Sequence, residues 1–333
     1  MKEYAKSLLR PLRQQLRERI LHPAGRTVER SLAQVLSRSR YLRSAASTVA
    51  DGLGAALAAG PEIYGASYFG VQRGGERRSG YVQYDRQTSR ANIAAYLLWK
   101  NFAPRTSLDV GCALGFLVEA LRELGVDARG SDISADAISL ASAPVRPYLS
   151  QGDLSKGLPF EDGSFELISA FEILEHLAPE RVPEALAELA RVCRGHVLAT
   201  IPSFGPNPSG PEGWFQGKVR WSRVDHYISQ GPEYDGPVPF YDLLKDADGT
   251  PIEGHLTIAS FRWWTRQFAR AGFTRCPEIE AAIQPDFERF GLRGIWDLYV
   301  FRKPEASARP ATRTPEELSA LEQRWGLGAA RTG

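Results

Sequence analysis

The sequence contains little cysteine and no long apolar run. Only Cys112, Cys193 and Cys276 occur among 333 residues, and none belongs to a Cys-x-x-Cys pair. This spacing argues against a zinc cluster and a disulfide framework, and it fits a reducing cytosol. No stretch reaches the ~18 to 20 apolar residues of a membrane span, and the first residues lack the apolar core of a secretory signal. The sequence therefore predicts a cytoplasmic protein with one large or two ordinary domains.

Acidic residues are scarce at the N-terminus. Residues 1–44 carry eleven basic and three acidic side chains, which leaves 30 of the 41 basic and 36 of the 39 acidic residues for the rest. Leu8, Leu12, Leu16 and Ile20 recur at helical spacing among the arginines. We expect residues 1–60 to form a basic helical arm that packs its leucines on the body of the protein or on a second subunit, or that contacts a membrane surface. A nucleic acid partner is not expected, because the remaining chain is mildly acidic.

Beyond Pro104 the sequence alternates between strand and helix patterns. Strands are predicted at 107–110, 128–131, 165–171, 196–201, 278–283 and 295–301, and helices at 89–102, 116–124, 135–143, 182–192, 261–271 and 315–325. This alternation predicts an α/β fold with a Rossmann-like, doubly wound sheet over residues 61–302. Residues 203–254 are rich in Pro, Gly and aromatics and predict a substrate lid. Residues 303–333 are expected to form a polar tail.

A small-residue turn follows the first predicted strand. Gly111, Ala113 and Gly115 let the backbone approach a ligand, and the next helix presents its N-terminal N–H groups there. Asp132 ends the second strand, where its carboxylate can accept hydrogen bonds from ribose hydroxyls or cap a turn. Phe116 stands where a dinucleotide fingerprint needs glycine, which argues against an NAD-dependent oxidoreductase but leaves it as an alternative.

The segment Asp109-Val110-Gly111-Cys112-Ala113-Leu114-Gly115 resembles motif I of the class I S-adenosylmethionine (SAM)-dependent methyltransferases, with Ala113 departing from the usual glycine. Gly152-Asp153-Leu154 is similar to the family's adenine-binding loop. The resemblance implies about seven strands with the last antiparallel, SAM as cofactor, and Asp153 as acceptor for the adenine amino group. The implied cofactor-binding residues are Asp109, Gly111, Ala113, Gly115, Asp132, Ile133, Asp153, Leu154 and Phe171. Cys112 is interpreted as a small buried filler.

A second motif, Glu172-Ile173-Leu174-Glu175-His176, follows the fourth strand. It resembles the Glu-x-x-Glu-His signature of ubiquinone-biosynthesis O-methyltransferases and small-RNA 2′-O-methyltransferases. The resemblance implies a Mg²⁺ site made by Glu172, Glu175, His176 and His255. In the alternative without metal, His176 or His255 acts as general base beside Glu175 or forms part of the pocket wall. His226 is a further candidate for a base or pocket residue.

These features predict O-methylation of a hydroxylated small molecule, a sugar or a glycan-type acceptor. N-methylation of a small amine or peptide stays open as an alternative. Two alternatives lie outside this class, an NAD-dependent oxidoreductase and an interaction module that binds the cofactor without turnover.

Overall fold

The computed structural model describes residues 64, 68, 84–207, 234–238, 242–245, 251–292 and 296–327. The predicted N-terminal arm, His226 and most of the predicted lid lie outside these residues. None of the described helices is both long enough and apolar enough to cross a membrane.

A seven-stranded sheet forms the centre of the described domain. The described strands are β1 Thr106–Val110, β2 Asp127–Asp132, β3 Leu149–Gln151, β4 Phe165–Phe171, β5 Cys193–Thr200, β6 Ser203–Phe204, β7 Asp242–Lys245, β8 Pro251–His255, β9 Ala259–Ser260, β10 Thr274–Arg275 and β11 Leu298–Arg302. The seven strands of the sheet lie in the order β3-β2-β1-β4-β5-β11-β10, with β1 to β5 parallel and β11 antiparallel to both of its neighbours. The predicted fold class, including its antiparallel last strand, is confirmed.

Helices cover both faces of this sheet. They are α1 Ala91–Phe102, α2 Phe116–Glu123, α3 Ala135–Leu140, α4 Val182–Val192, α5 Phe261–Arg270, α6 Pro277–Arg289 and α7 Pro315–Trp325. Side chains of α1, α2, α6 and α7 share one buried cluster, and those of α4 and α5 share the other. Trp264 and Leu98 are among the fully buried side chains, and each contributes about 1.5–3 kcal/mol by leaving water. Because the helices cover the faces of the sheet, they leave the carboxyl ends of the parallel strands uncovered, and we call this end of the sheet the open edge.

The strand predicted at 278–283 is wrong, because these residues belong to helix α6. Glu278-Ile279-Glu280 imitates the polar and apolar alternation of a strand. However, Ile279, Ile283 and Phe287 recur every four residues and are buried on one helix face. Pro277 at the first helical position also favours a helix start. The outer strand is β10 instead.

Several predicted ends shift by a few residues. Helix α3 begins after Ser134, whose hydroxyl accepts the N–H of Ala137 at 3.0 Å, but it ends at Leu140 and not at residue 143. Strand β5 starts three residues earlier than expected, and β11 starts three residues later.

The predicted C-terminal tail packs on the domain as far as residue 327. Thr314 begins α7 with a capping box, and Leu321 is buried against the sheet-covering helices. The Glu322 carboxylate accepts a hydrogen bond from the Tyr96 hydroxyl at 2.5 Å and two from the Arg289 guanidinium. The described part of this segment is thus a component of the fold.

Glu322 makes the docking of α7 dependent on pH. The Arg289 hydrogen bond, helped by Tyr96 and opposed by burial, lowers the pKa of Glu322 to about 2. A depressed folded pKa stabilises above the unfolded value and loses that contribution as pH falls through the folded value. We expect Glu322→Gln to cost about 1–2 kcal/mol of unfolding free energy at pH 7. We expect the difference from wild type to shrink between pH ~4.5 and ~2. Urea unfolding at several pH values measures it. The exposed Glu316→Gln in the same helix is the control, and an equal loss there would contradict the assignment.

Candidate functional site

The turn between β1 and α2 forms a cradle at the open edge. Gly111, Ala113 and Gly115 adopt left-handed backbone conformations with φ of 74°, 48° and 77°. A Cβ added at Gly111 would collide with the Ile173 side chain. The Gly111 N–H donates to the Ser131 carbonyl at 2.8 Å, which holds the turn against the end of β2. The turn therefore presents backbone, with little side chain, to the space above it.

Asp132 joins this turn to the start of α3. Its Oδ2 accepts the N–H of Ala113 and its Oδ1 accepts the N–H of Ser134, both at 2.8 Å. The turn-capping role considered from the sequence is thus observed. Each carboxylate oxygen has a second lone pair, and Asp132 also lines the cavity. Its contact with a ribose stays a prediction.

A cavity of about 290 Å³ opens above the turn. Its lining is Tyr64, Tyr68, Tyr84, Val110, Gly111, Ala113, Ser131, Asp132, Ile133, Gly152, Asp153, Leu154, Phe171, Glu172, Ile173, Glu175, His176, Leu177 and His255. Eleven of the thirteen residues predicted for cofactor, catalysis or metal are among them. The turn conformation and the size of this space suit a nucleoside-containing ligand such as SAM.

Asp109 and Gly115 are the two predicted residues that do not line this cavity. Asp109 borders a smaller neighbouring cavity of about 70 Å³, which shares Gly111 and Phe171 with the larger one and also contacts Trp296. Gly115 is the N-cap of α2, and a Cβ added there would collide with Leu149. Its contact with the cofactor stays a prediction.

Three tyrosines were not predicted as site residues. Tyr64 and Tyr68 pack edge to face at 5.1 Å between ring centroids, and Tyr64 lies 6.0 Å from the ring of His176. The Ser134 hydroxyl donates to the Tyr64 carbonyl at 2.5 Å, which ties this residue to the start of α3. Together with Tyr84 they form an aromatic wall. The tyrosine content of residues 61–90 was the available signal, but spacing alone could not place these rings.

The acids near the turn differ in electrostatic environment. Burial raises the pKa of Asp109 to about 7, opposed by the Ser169 hydroxyl at 2.7 Å and reinforced by the charge of Asp132. Burial likewise raises the pKa of Asp132. At Asp153 burial acts upward, but hydrogen bonds from Lys156 and Ser155 outweigh it and lower the pKa. A positively charged ligand nearby would lower the electrostatic cost of ionising both Asp109 and Asp132.

Glu175, His176 and His255 form a cluster that lines the same cavity. One potential ligand atom from each lies within 4.8 Å of the others, whereas Glu172 lines the cavity but is outside this group. Glu175 is fully buried, and its Oε1 lies 3.9 Å from Nε2 of His176. The rings of His176 and His255 meet edge to face at 5.3 Å.

The ring of His176 is oriented by a backbone carbonyl. Its Nδ1 lies 2.9 Å from the Gly254 oxygen. Because a carbonyl only accepts, Nδ1 carries the proton in this bond and Nε2 is the basic nitrogen. Burial lowers the pKa of His176 and outweighs the Gly254 and Glu172 carbonyls, which raise it. The ring is therefore neutral at pH 7 and can accept a proton at Nε2.

Comparison with known proteins gives the class. Residues 108–199 match a family model described as "Methyltransferase domain". This segment runs from β1 to β5 and contains both the cradle and the His176 turn. With the motif order and the sheet topology, the match defines the described domain as a class I SAM-dependent methyltransferase domain.

Several relatives are named ubiquinone biosynthesis O-methyltransferase. The protein from Methylococcus capsulatus is 34% identical over 100 residues, which cover 27% of this chain and 41% of the relative. The protein from Pectobacterium atrosepticum is 25% identical over 173 residues, 48% of this chain and 68% of the relative. The chain thus spans less than half of the first relative. Among solved structures, the PH0226 protein of Pyrococcus horikoshii has a TM-score of 0.43 at 16% identity, covering 67% of this chain and 93% of that chain.

The cradle can be tested by exchanging its small residues. Gly111→Ala should raise the Kd for SAM at least ~10-fold, because left-handed backbone costs an L-residue about 1–2 kcal/mol and the new methyl meets Ile173. Ala113→Gly should keep or improve binding, since it removes the same strain. Isothermal titration measures both, with thermal melts to verify folding. Unchanged affinity in a folded Gly111→Ala protein would show that the cofactor does not approach this turn.

Proposed function

We propose that this protein transfers the methyl group of SAM to a hydroxyl of a small molecule, a sugar or a glycan-type acceptor. The observation that carries the proposal is the orientation of His176. Its Nδ1 is engaged by the Gly254 carbonyl, so Nε2 is the unprotonated nitrogen of the neutral ring, and His176 lines the cavity that contains the cofactor cradle. The names of the O-methyltransferase relatives support the same chemistry.

Bound SAM would supply an electrophilic methyl group on a good leaving group. The Gly111–Ala113 turn and Asp153 would hold it, and the tyrosine wall would exclude water. His176 would accept the acceptor's hydroxyl proton at Nε2, which is favourable because its lowered pKa keeps the ring neutral. Alignment of hydroxyl, methyl and sulfur would provide much of the acceleration.

The charge of the cavity favours a second candidate, N-methylation of a small amine or peptide. Asp132, Asp153, Glu172 and Glu175 line the cavity, and its described lining contains no lysine or arginine. Such a lining favours a neutral or cationic acceptor and disfavours a phosphate or carboxylate. An amine would need only its neutral form and no separate base.

A Mg²⁺-dependent reaction is the alternative to direct proton transfer. Mg²⁺ prefers oxygen ligands in octahedral geometry, whereas the cluster offers one carboxylate and two imidazoles. Glu172 does not add a second carboxylate to it. The donor set therefore fits Mg²⁺ poorly, and we favour the route without metal.

Three broader predictions remain proposals. The domain limits of 1–60, 61–302 and 303–333 are one, and the cytoplasmic location is another. The third is contact of the basic N-terminal arm with a membrane surface or a second copy.

An assay with SAM labelled in its methyl group tests the proposal. The acceptors are catechols, sugar diols, primary amines and secondary amines, each with EDTA and with added Mg²⁺. We expect transfer to a hydroxyl acceptor that persists in EDTA. Transfer only to amines would select the second candidate, and transfer abolished by EDTA and restored by Mg²⁺ would select the metal route. Binding of NAD⁺ without SAM binding would contradict the whole assignment.

His176→Gln should lower kcat by roughly 10²- to 10⁴-fold, the usual contribution of a general base. The Kd for SAM should stay within about twofold, since the cradle is untouched. His196→Gln is the control. His196 is also a buried histidine bonded to a carbonyl, at 3.0 Å from Ser307, but it does not line the cavity. Equal losses in both variants, or none in His176→Gln, would contradict the role of His176.

A further inference from the structure

The turn that carries His176 has little support of its own. Residues Leu174–His176 form a single 3₁₀ turn directly after β4. Its local hydrogen bonds run from the N–H of His176 to Ile173 at 3.1 Å and from the N–H of Leu177 to Leu174 at 3.2 Å. One short turn of this kind does not determine the orientation of a side-chain ring.

A second segment, Gly254–Thr257, runs along this turn and bonds to its last two residues and to Leu177, which follows it. The Leu256 and Thr257 N–H groups donate to the Glu175 carbonyl at 2.7 and 2.9 Å. The Gly254 carbonyl accepts from His176 at 2.9 Å, and the Thr257 hydroxyl donates to the Leu177 carbonyl at 2.7 Å. We call this four-bond arrangement the clasp.

Thr257 is the one side chain of segment Gly254–Thr257 that contributes to the clasp through its own hydroxyl. It is fully buried and is not part of the cavity lining, so it does not meet cofactor or acceptor. Its bond to Leu177 adds to the two backbone bonds at Glu175 in holding the two backbones together, three residues from Gly254. These bonds keep the Gly254 carbonyl within reach of Nδ1.

The clasp determines which nitrogen of His176 is basic. If the Gly254 carbonyl moved away, Nδ1 would lose this acceptor, while the Glu172 carbonyl and the Glu175 carboxylate would still face the ring. The proton could then reside on either nitrogen. A fraction of the protein would then present Nε2–H to the acceptor hydroxyl and could not take its proton.

We propose that the Gly254–Thr257 segment sets the tautomer of His176, with Thr257 as a positioning residue for the transfer reaction. The inference rests on the proposed function for its kinetic consequence, but the tautomer itself is independent of any activity. Since Gly254 lies in β8, paired with β7, the same hairpin that ends the predicted lid also orients the base.

The test compares Thr257→Val, which removes the hydroxyl at nearly constant volume, with Thr257→Ser, which retains it. Long-range ¹H–¹⁵N spectra of ¹⁵N-histidine protein, recorded in EDTA, report the protonated nitrogen. His176→Gln identifies the signal among the five histidines. Wild type and Thr257→Ser should show the proton on Nδ1, and Thr257→Val should show a mixture. We expect kcat to fall about 10- to 100-fold in Thr257→Val at unchanged Kd for SAM, because small displacements at a reacting group have effects of this size.

A wild-type signal with the proton on Nε2, or on both nitrogens, would overturn the inference. So would a Thr257→Val protein with the wild-type tautomer and kcat. If no acceptor is methylated while the tautomer still depends on Thr257, the clasp stands and the proposed function fails. If Thr257→Val does not fold, Thr257→Ala removes the same hydroxyl without the branched side chain and takes its place.

Discussion

The carboxylate of Asp132 joins two turns that leave the sheet at neighbouring points. By accepting the N–H groups of Ala113 and Ser134 it fixes the β1–α2 turn relative to the start of α3. Ala113 can remain at a φ of 48° because this bond and the Gly111 bond to β2 overdetermine the turn. The rest of the cavity depends on this arrangement, since its floor is the backbone that Asp132 holds in place.

Two buried carboxyl groups, Asp109 and Asp132, lie at this turn. Asp109 and Asp132 both have raised pKa values, because each is buried and the charge of Asp132 opposes ionisation of Asp109. The domain stabilises this unfavourable pair by other interactions, as binding sites commonly do. A cationic ligand would favour the ionised form of both groups. The acidic residues of the cradle are therefore compatible with a positively charged ligand such as a sulfonium cofactor.

The sequence predicted most of this site because its signals are local. The small-residue turn, the end of β2 and the motif after β4 each lie within a few residues of a strand end, and parallel strands bring their carboxyl ends to one edge. Residues 278–283 of helix α6 were predicted as a strand because Glu278, Ile279 and Glu280 alternate between polar and apolar. The four-residue spacing of Ile279, Ile283 and Phe287, which indicates a helix, was not followed. Tyr64 and Tyr68 were not predicted as site residues, because the residues next to them in the sequence do not indicate which part of the fold their segment contacts.

Glu172 stands apart from the other polar residues of its motif in the described structure. Its φ of 53° marks a left-handed residue between β4 and the 3₁₀ turn, and the structure groups Glu175 with the two histidines but not Glu172. The tautomer of His176 was likewise beyond the sequence, since its partner carbonyl lies 78 residues away. Cofactor and base are thus supported by different parts of the chain. The ends of β1 and β2 hold the cradle, and strand β8, at the end of the insertion, orients the proposed base His176. Changes in the insertion can therefore alter the acceptor side of the site, while the two hydrogen bonds accepted by Asp132 keep the cofactor side unchanged.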